Sequence, residues 1–256
     1  MAEVLFYERP VPLNRTVHKD LRIKGLQNLK FAHSVHSVPL TCTEFPIAAR
    51  DIPILFAGQD IDNTGPMALL GLRQNENLFI DAQGAWAMGV YIPAFVRRYP
   101  FVLAEKPVGA EGEDFTVFLD EGYEGFNDKE GERLFKEDGT ETDMLKNAVN
   151  FLGEFQQHVA RTKQFVEDLR KHDLLEPRNI RMERNGNVIN LNGLFVVSEE
   201  KLRKLDAETA HRFLLDGTLG WIYAHLLSLQ NIDRVGQRLA EREQAETAEA
   251  ASATKN

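Results

Sequence analysis

The chain has 256 residues, of which 43% are hydrophobic and 27% are charged, so it can bury a substantial core as a globular protein. Its formal net charge is −9, and no basic stripe offsets it, which argues against a nucleic-acid-binding protein. The single cysteine, Cys42, excludes an intrachain disulfide.

The N-terminal stretch "MAEVLFYERPVPLNR" lacks the basic and apolar regions of a signal peptide. The longest apolar runs, such as "IPAFV", fall short of the roughly 18 residues that a membrane span needs. We therefore expect a cytoplasmic protein that does not insert into a membrane.

The first half of the chain reads mainly as strands separated by short helices. The patterns predict a strand at 34–40, a short helix at 41–51 with Thr43 as N-cap and Pro46 in its first turn, and a strand at 52–58. They then predict a strand, turn and strand over 76–92 with Gly84 in the turn. A hairpin follows, with strands at 100–106 and 114–121 joined by a glycine-rich loop.

The second half reads mainly as helices. A capping pattern at Thr140 and Asp143, followed by apolar residues at helical spacing, predicts a long helix that stops near His172. Asn185-Gly186 fits the type I′ turn of a hairpin near 178–192. Shorter helices are predicted from Ser198 and Asp206, and a further helical segment carries an apolar stripe through Leu219 and Ile222. The Ala/Glu-rich tail has no apolar face, and we expect it to fray.

These patterns together predict an α+β fold, in which a strand-rich and largely antiparallel N-terminal half packs on a C-terminal helical region. We expect a single domain over 1–240, strand-rich to about residue 140 and mainly helical beyond it. Residues 241–256 are predicted to be a flexible acidic tail.

Two stretches of the first half share a pattern of four residues. Pro, Arg, Pro and Ala recur at the same spacing in "FPIAARDIPILFA" (45–57) and "IPAFVRRYPFVLA" (92–104). The first proline starts a helical turn and the second ends it, after which a strand leaves. The arginine, Arg50 or Arg97, then falls near the carbonyl end of the turn, where a cation is favoured. The pattern predicts a helix-to-strand joint in both places, whether or not it reflects a duplication.

The arginine pair Arg97 and Arg98 is the most unusual feature of the sequence. In a structural interpretation, Arg97 caps a helix end and Arg98 lies in water or pairs with an acidic residue. In a binding interpretation, a guanidinium beside Trp86, Tyr91 and Tyr99 forms a pocket for a carboxylate or an acidic peptide. The structural interpretation explains Arg98 least well, because the earlier stretch has an aspartate at the matching position. Arg50 is kept as a further candidate ligand-binding residue.

Other motifs do not indicate a catalytic, metal or cofactor site. His33 and His36 would lie on opposite faces of a strand, so they could not share one ion. No nucleotide-binding glycine motif, zinc motif or nucleophile elbow is present, and the catalytic residues stay unknown. We therefore expect no metal and no cofactor, with Cys42 as a small half-buried thiol.

A resemblance to a known family rests on several of these blocks. "HSVPLTCTEFPIAARDIPILFAG", "ALLGLRQNENLFIDAQGAWAMGVYIPAFVRRYPFVLAE" and "WIYAHLLSLQNI" resemble the SapC family of bacterial proteins, over about residues 30–232. The resemblance implies an association with surface-layer gene loci. It also implies a neighbourhood of flavin-dependent halogenase-like proteins, cupin-like proteins and outer-membrane receptors. It transfers no catalytic residues.

Two functions from different classes follow. The first is a non-catalytic accessory protein that recognises a peptide or protein partner in a surface-layer or peptide-modification system. The alternative is an enzyme that acts on a peptide or small acidic substrate together with halogenase-like or cupin-like partners. The sequence leaves the oligomeric state open.

Overall fold

A computed structural model describes residues 5–26, 28–105, 115–184 and 187–253 of the chain. By compactness the chain divides into unit 1, residues 1–31 and 94–157, and unit 2, residues 32–93 and 158–256. The expectation of one continuous domain over 1–240 stays a prediction.

The described strands, in chain order, are β1 (Pro10–Pro12), β2 (Arg22–Ile23), β3 (Ser37–Pro39), β4 (Ile54–Gly58), β5 (Thr64–Leu69), β6 (Phe101–Glu105), β7 (Phe115–Asp120), β8 (Phe126–Asn127), β9 (Glu132–Arg133), β10 (Leu175–Arg184) and β11 (Asn187–Val197). The described helices are α1 (Phe45–Ala48), α2 (Ala94–Arg97), α3 (Asp143–Lys171), α4 (Glu199–Leu202), α5 (Ala207–Leu215), α6 (Thr218–Ser228) and α7 (Asn231–Ala253). Single 3-10 turns lie at Lys30–Ala32 and Cys42–Glu44.

The described residues of unit 1 form two antiparallel sheets of three strands. The first, the unit 1 sheet, has the order β1-β7-β6, and the second has the order β8-β2-β9. The first turns of α3 supply apolar side chains to the same core as these strands. The buried members of this core are Phe101, Leu119, Leu134, Phe135, Leu145 and Leu152.

The described residues of unit 2 form one antiparallel sheet of five strands, the unit 2 sheet, in the order β10-β11-β4-β5-β3. The long hairpin of β10 and β11 joins it through Leu194 and Phe195, which face Ala57 and Phe56 of β4. The predicted turn residues of this hairpin, Asn185 and Gly186, lie outside the described residues.

A buried histidine ties α6 to the unit 2 sheet. His225 Nδ1 donates to the carbonyl of Ile54 at 2.9 Å, and its Nε2 accepts from the amide of Val197 at 3.1 Å. Ser228, one turn along, accepts from the amide of Ile54 at 2.9 Å. Burial lowers the pKa of His225 to about 4, so the ring is neutral near pH 7 and serves as one donor and one acceptor.

One arrangement of strands occurs in both units. In unit 1 the edge strand β1 lies beside β7, with Val11 facing Leu119. In unit 2 the edge strand β3 lies beside β5, with Val38 facing Ala68. Each of these valines begins the same tripeptide, Val-Pro-Leu, and the amide of that leucine donates to the central strand, at 2.8 Å in unit 1 and 3.1 Å in unit 2.

The strand on the other side of each central strand also matches. Phe101 at the start of β6 faces Leu119, and Ile54 at the start of β4 faces Ala68. Both strands leave a single helical turn through a proline, as the repeated sequence pattern predicts. The prediction of two helix-to-strand joints is therefore confirmed, and over three strands the two sheets share both order and register.

Several local predictions are confirmed. Strand β4 lies within the predicted strand 52–58, and β6 pairs antiparallel with β7 as the predicted hairpin requires. The residues of its connecting loop, 106–114, lie outside the described part of the chain. Helix α5 begins where it was predicted, and Asp206 is its N-cap, since its side chain accepts from the amide of Thr209 at 2.8 Å.

Other local predictions were wrong. The cap of the turn before α1 is Thr41 and not Thr43, because Thr41 and Glu44 form a reciprocal capping box. Helix α3 begins after Thr142, whose hydroxyl accepts from the amide of Leu145, so Thr140 is not its cap.

The predicted strand, turn and strand over 76–92 is also wrong. This segment forms only an isolated bridge between Ile80 and Trp86, with Gly84 in the turn. A buried amide explains why, because Asn77 bonds the carbonyl of Ala32 and the amide of Phe79 in place of a ladder.

The α+β fold class is confirmed, with antiparallel sheets mostly in the N-terminal part and long helices in the C-terminal part. Helix α7 continues to Ala253, into the segment that the sequence predicts to fray. Among the helices of the described residues, none has both the length and the apolar character that crossing a bilayer would require.

Candidate functional site

The arginine pair lies at the helix-to-strand joint of unit 1. Pro93 precedes the single turn of α2, and Pro100 stops it after Tyr99. Arg97 is the last residue of the turn and is exposed, with its guanidinium 5.0 Å from the ring centre of Phe151. Since successive helical side chains point about 100° apart, Arg98 leaves the turn in another direction.

Arg98 lies among three aromatic rings. Its guanidinium carbon is 3.8 Å from the ring centre of Phe95, 5.5 Å from that of Phe155 and 5.9 Å from that of Tyr7. Cation–π attraction stabilises a partly desolvated guanidinium in such surroundings. We call Arg98 with these three rings the Arg98 cluster.

The charge of Arg98 is not matched by an acidic side chain. No carboxylate of the described residues lies within 4.0 Å of it, and its buried Nε–H has no hydrogen-bond acceptor among them. Burial lowers the pKa of Arg98, while the neighbouring Tyr7 hydroxyl opposes that shift, and the guanidinium remains charged at any ordinary pH. A partly buried cation whose Nε–H lacks an acceptor is suited to receive an anion.

Two tyrosines next to Arg98 are held as neutral phenols. Tyr7 donates its hydroxyl to the carbonyl of Phe101 at 2.7 Å, and burial raises its pKa. Tyr99 donates to Oδ2 of Asp120 at 3.2 Å, and burial together with that carboxylate raises its pKa as well.

Asp120 is fully buried and already engaged. Besides Tyr99 it accepts the backbone amides of Glu8 at 3.0 Å, Arg9 at 2.8 Å and Gly122 at 3.0 Å. The bonds from Glu8 and Arg9 connect the segment before β1 to Asp120 at the end of β7. The carboxylate therefore serves the fold, and it does not neutralise Arg98.

The other predicted site residues lie in unit 2. Arg50 is exposed beyond α1, and its carbonyl accepts from Arg234 at 3.1 Å. Tyr91 donates its hydroxyl to Oε1 of the buried Glu44 at 2.9 Å. Trp86 stacks on Phe79 with ring centres 5.9 Å apart. The structure thus brings Arg97, Arg98 and Tyr99 together in unit 1, whereas Arg50, Trp86 and Tyr91 belong to unit 2.

Trp86 carries one further feature. Its buried indole Nε1–H has no hydrogen-bond acceptor within the described ranges of the chain. The indole ring packs on Phe79. The guanidinium of Arg238 also contacts Phe79, 4.5 Å from that ring centre.

Sequence reasoning missed several residues of the Arg98 cluster. Phe155 comes from α3, more than fifty positions away, and Tyr7 precedes β1. No periodicity links them to Arg98. The only available signal for Tyr7 was its place before the tripeptide Val-Pro-Leu, which recurs before the unit 2 strands.

The cavities formed by the described residues include one in each unit. In unit 1, a cavity of about 480 Å³ is lined by Phe31, Tyr99 and Tyr123, with Lys24 and Glu8 at its rim. In unit 2, a cavity of about 330 Å³ lies on one face of the unit 2 sheet. Its lining residues are His36, Ser37, Leu55, Ala57, Met67, Leu69, Leu72, Arg73, Gln74, Asn190, Leu191, Asn192 and Leu194.

The structure gives little support for metal or thiol chemistry in the residues that it describes. Those residues contain no group of three or more His, Cys, Asp or Glu side chains placed to hold a metal ion. Cys42 is fully buried rather than half-buried, and burial raises the pKa of its thiol, so it is not an activated nucleophile.

Comparison with known proteins gives one finding. Neither the curated proteins nor the solved structures contain a significant match. The family model of SapC matches residues 13–235, which includes both helix-to-strand joints and extends the resemblance towards the N-terminus. The chain therefore belongs to the SapC family.

Proposed function

We propose that the protein is an accessory binding protein that recognises a peptide or protein partner through an acidic group held by Arg98. The observation that carries this proposal is the Arg98 cluster, a partly buried guanidinium whose Nε–H has no acceptor among the described residues. A carboxylate entering this cluster would gain a charge-assisted hydrogen bond and relieve an unsatisfied donor.

The surrounding rings support recognition rather than catalysis as the role of Arg98. Phe95 and Phe155 give the guanidinium flat apolar walls, which hold its orientation before a ligand arrives. The two nearby phenols have raised pKa values, so they offer hydrogen bonds and not proton transfer near pH 7.

The setting of this function follows from the family resemblance. Association with surface-layer loci suggests a partner in a surface-layer or peptide-modification system, and we propose that the protein meets it in the cytoplasm. Fractionation of the native organism, with antibody detection, tests the compartment. Recovery in the envelope fraction would contradict the proposed location.

The direct test follows the Arg98 Nε–H signal by NMR during titration with the peptide Ac-Gly-Glu-Gly-NH₂. We expect this signal to shift, and we expect no shift with Ac-Gly-Gln-Gly-NH₂, which has the same shape without the charge. Equal responses to the two peptides would reject the acidic-group recognition.

The partner is tested by affinity capture from native lysate. Arg98→Met keeps the apolar stem between the rings and removes the charge, and we expect it to lose the captured partner. Arg97→Ala alters the exposed neighbour and serves as the matched control, which should retain it. Undiminished capture by Arg98→Met, or by a variant with both arginines replaced by Ala, would reject the role of Arg98.

The alternative function is an enzyme that acts on a peptide or small acidic substrate with halogenase-like or cupin-like partners. The observation in its favour is that both units contain cavities, since concave sites of about 300–1,000 Å³ are typical of small-molecule binding. A mass change in a captured peptide, seen only when the protein and such a partner are both present, would support it.

A further inference from the structure

The two sheets have equivalent faces that are covered differently, although Leu55 and Val102 are buried in both. Val102 follows Phe101 in β6, and Leu55 follows Ile54 in β4, so the two occupy matching positions beside the shared register. By the same register, Phe118 of β7 matches Met67 of β5. Side chains alternate along a strand, so each pair lies on the same face of its sheet.

In unit 1 the chain itself covers this face. Tyr7 packs with Tyr99 and Val102, and Phe118 joins the same cluster. Tyr7 is only 8% exposed, and its hydroxyl reaches the Phe101 carbonyl. Phe6, Phe31 and Tyr123 complete the aromatic cover.

In unit 2 the matching face carries a cavity instead. Leu55 and Met67, the counterparts of Val102 and Phe118, both line the cavity of about 330 Å³. Tyr7 lies four residues before the valine of Val-Pro-Leu, and the residue four before the second such valine is Ser34. Ser34 is exposed and too small to reach across the sheet. The cavity thus lies where unit 1 holds a tyrosine ring.

The lining of the cavity defines the ligand that it suits. Its floor is apolar, with leucine and methionine side chains of β4 and β5, and its rim offers the amides of Gln74, Asn190 and Asn192. The charged lining group is Arg73, which Glu76 binds at 2.9 Å and Glu243 approaches at 3.5 Å. Charge complementarity therefore favours an uncharged ring with a hydrogen-bonding end over an anion.

We propose that this cavity binds the tyrosine side chain of a peptide partner. The ring occupies the apolar floor, as Tyr7 does in unit 1, and the phenol hydroxyl meets the amide rim. This site is separate from the Arg98 cluster, and the inference holds whether or not Arg98 binds an acidic group.

The test uses N-acetyl-tyrosinamide as the probe and methyl NMR of the full chain as the readout. We expect saturable shifts of the Leu55, Met67 and Leu194 methyl signals. N-acetyl-leucinamide should bind at least about tenfold more weakly, because it lacks the ring and the hydroxyl. Absence of saturable shifts, or equal affinity for the two probes, would overturn the proposal.

Two variants block the cavity in different ways. Ala57→Leu places a larger side chain on its floor, and Ser34→Tyr introduces at an exposed position the residue that unit 1 carries. Both should weaken probe binding by about tenfold or more. Unchanged thermal unfolding shows that each variant is folded, and Ser34→Tyr keeps the test valid if the packed site does not tolerate leucine.

Arg98→Met is the matched control for this experiment. It should leave binding of N-acetyl-tyrosinamide unchanged, while it abolishes the response to the acidic peptide. Probe binding that survives in either blocked variant, or that is lost in Arg98→Met, would show that the tyrosine site is not the unit 2 cavity.

Discussion

The unit 1 sheet and the unit 2 sheet use the same backbone arrangement and differ in the side chains that complete it. The carbonyl of the first residue of β6 in unit 1, and that of the first residue of β4 in unit 2, each accept a hydrogen bond from a side chain. In unit 1 the donor is the Tyr7 hydroxyl on Phe101, and in unit 2 it is the His225 ring on Ile54. One donor comes from the segment before the edge strand, and the other comes from a helix far along the chain.

This difference accompanies a difference in how the face of Val102 in unit 1 and the face of Leu55 in unit 2 are covered. Tyr7 fills the face of Val102 in unit 1, so that sheet is completed by its own N-terminal segment. His225 caps the corresponding carbonyl of unit 2 from α6, and the face of Leu55 keeps a cavity. A shared register thus fixes how the strands pair without fixing whether a face is filled by side chains or keeps a cavity.

The largest loss in the free energy of unfolding is expected at Tyr7, which covers one face of the unit 1 sheet. Tyr7→Ala should lower the free energy of unfolding by about 3–5 kcal/mol, because it empties a buried aromatic site and leaves the Phe101 carbonyl without its donor. Ser34→Ala, at the matching position of unit 2, should change it by less than about 0.5 kcal/mol. Urea unfolding measures both, and similar losses in the two variants would break the comparison.

The next largest change in the free energy of unfolding is expected at Asp120. Its counterpart in the unit 2 register is the apolar Leu69. Asp120→Asn should cost about 1–3 kcal/mol, because the amide NH₂ would face the buried N–H donors that the carboxylate accepts. Glu121→Gln, at the exposed neighbouring position, is the control and should be neutral in urea unfolding. A neutral Asp120→Asn would mean that the N-terminal segment does not depend on this carboxylate.

The pH dependence of stability distinguishes His225 from Tyr7. The folded-state pKa of His225 is about 4, below its usual value of 6.5, so the unfolded chain takes up the proton first as pH falls. The contribution of the neutral His225 ring to the free energy of unfolding is therefore complete above pH 6.5 and is lost as pH falls towards 4. Between pH 7.5 and 5.5 the loss should be about 1.4 kcal/mol.

Urea unfolding of variants at both pH values isolates this contribution. His225→Gln should lose that part of the pH dependence, whereas His211→Gln, at an exposed position of α5, should keep it. An unchanged pH dependence in His225→Gln would contradict the assignment of the buried ring as the titrating group.

The smallest changes in the free energy of unfolding are expected at the position where the two helix-to-strand joints differ in charge, which is Arg98 in unit 1 and Asp51 in unit 2. Arg98→Met should change the free energy of unfolding by less than about 1 kcal/mol, because no described ion pair is lost and the stem still packs on the rings. Asp51→Ala, at the matching position, removes an exposed pair with Arg234 and should cost less than about 1 kcal/mol. Chemical unfolding of both variants is the measurement. A loss above about 2 kcal/mol for Arg98→Met would identify Arg98 as a structural residue.

Local patterns in the sequence predicted most of the elements near the candidate site. Proline spacing predicted both helix-to-strand joints, and the position of Arg97 in its turn is confirmed. The prediction failed over 76–92, where two strands joined by a turn at Gly84 were expected and the buried Asn77 side chain bonds the backbone instead. Side-chain competition of this kind has no periodicity to read.

The candidate site was only partly predictable. The lack of a matching arginine at Asp51 singled out Arg98, but its cover by Tyr7 and Phe155 depends on residues distant in sequence. Grouping Arg98 with Trp86 and Tyr91 rested on nearness in sequence, and these residues belong to different units. Contacts between distant segments follow from how strands and helices pack, which local spacing does not encode.

By itself the sequence determined the α+β class, the two proline-bounded joints and the membership of the SapC family. These depend on backbone stereochemistry and on local residue order, which act over a few neighbouring residues. Only the tertiary structure decided that Tyr7 closes one sheet while Ser34 leaves its counterpart open, and that Arg98 lies among rings without an acidic partner in the described chain. Burial and pairing are set by which distant side chains meet, and that is decided when the sheets pack.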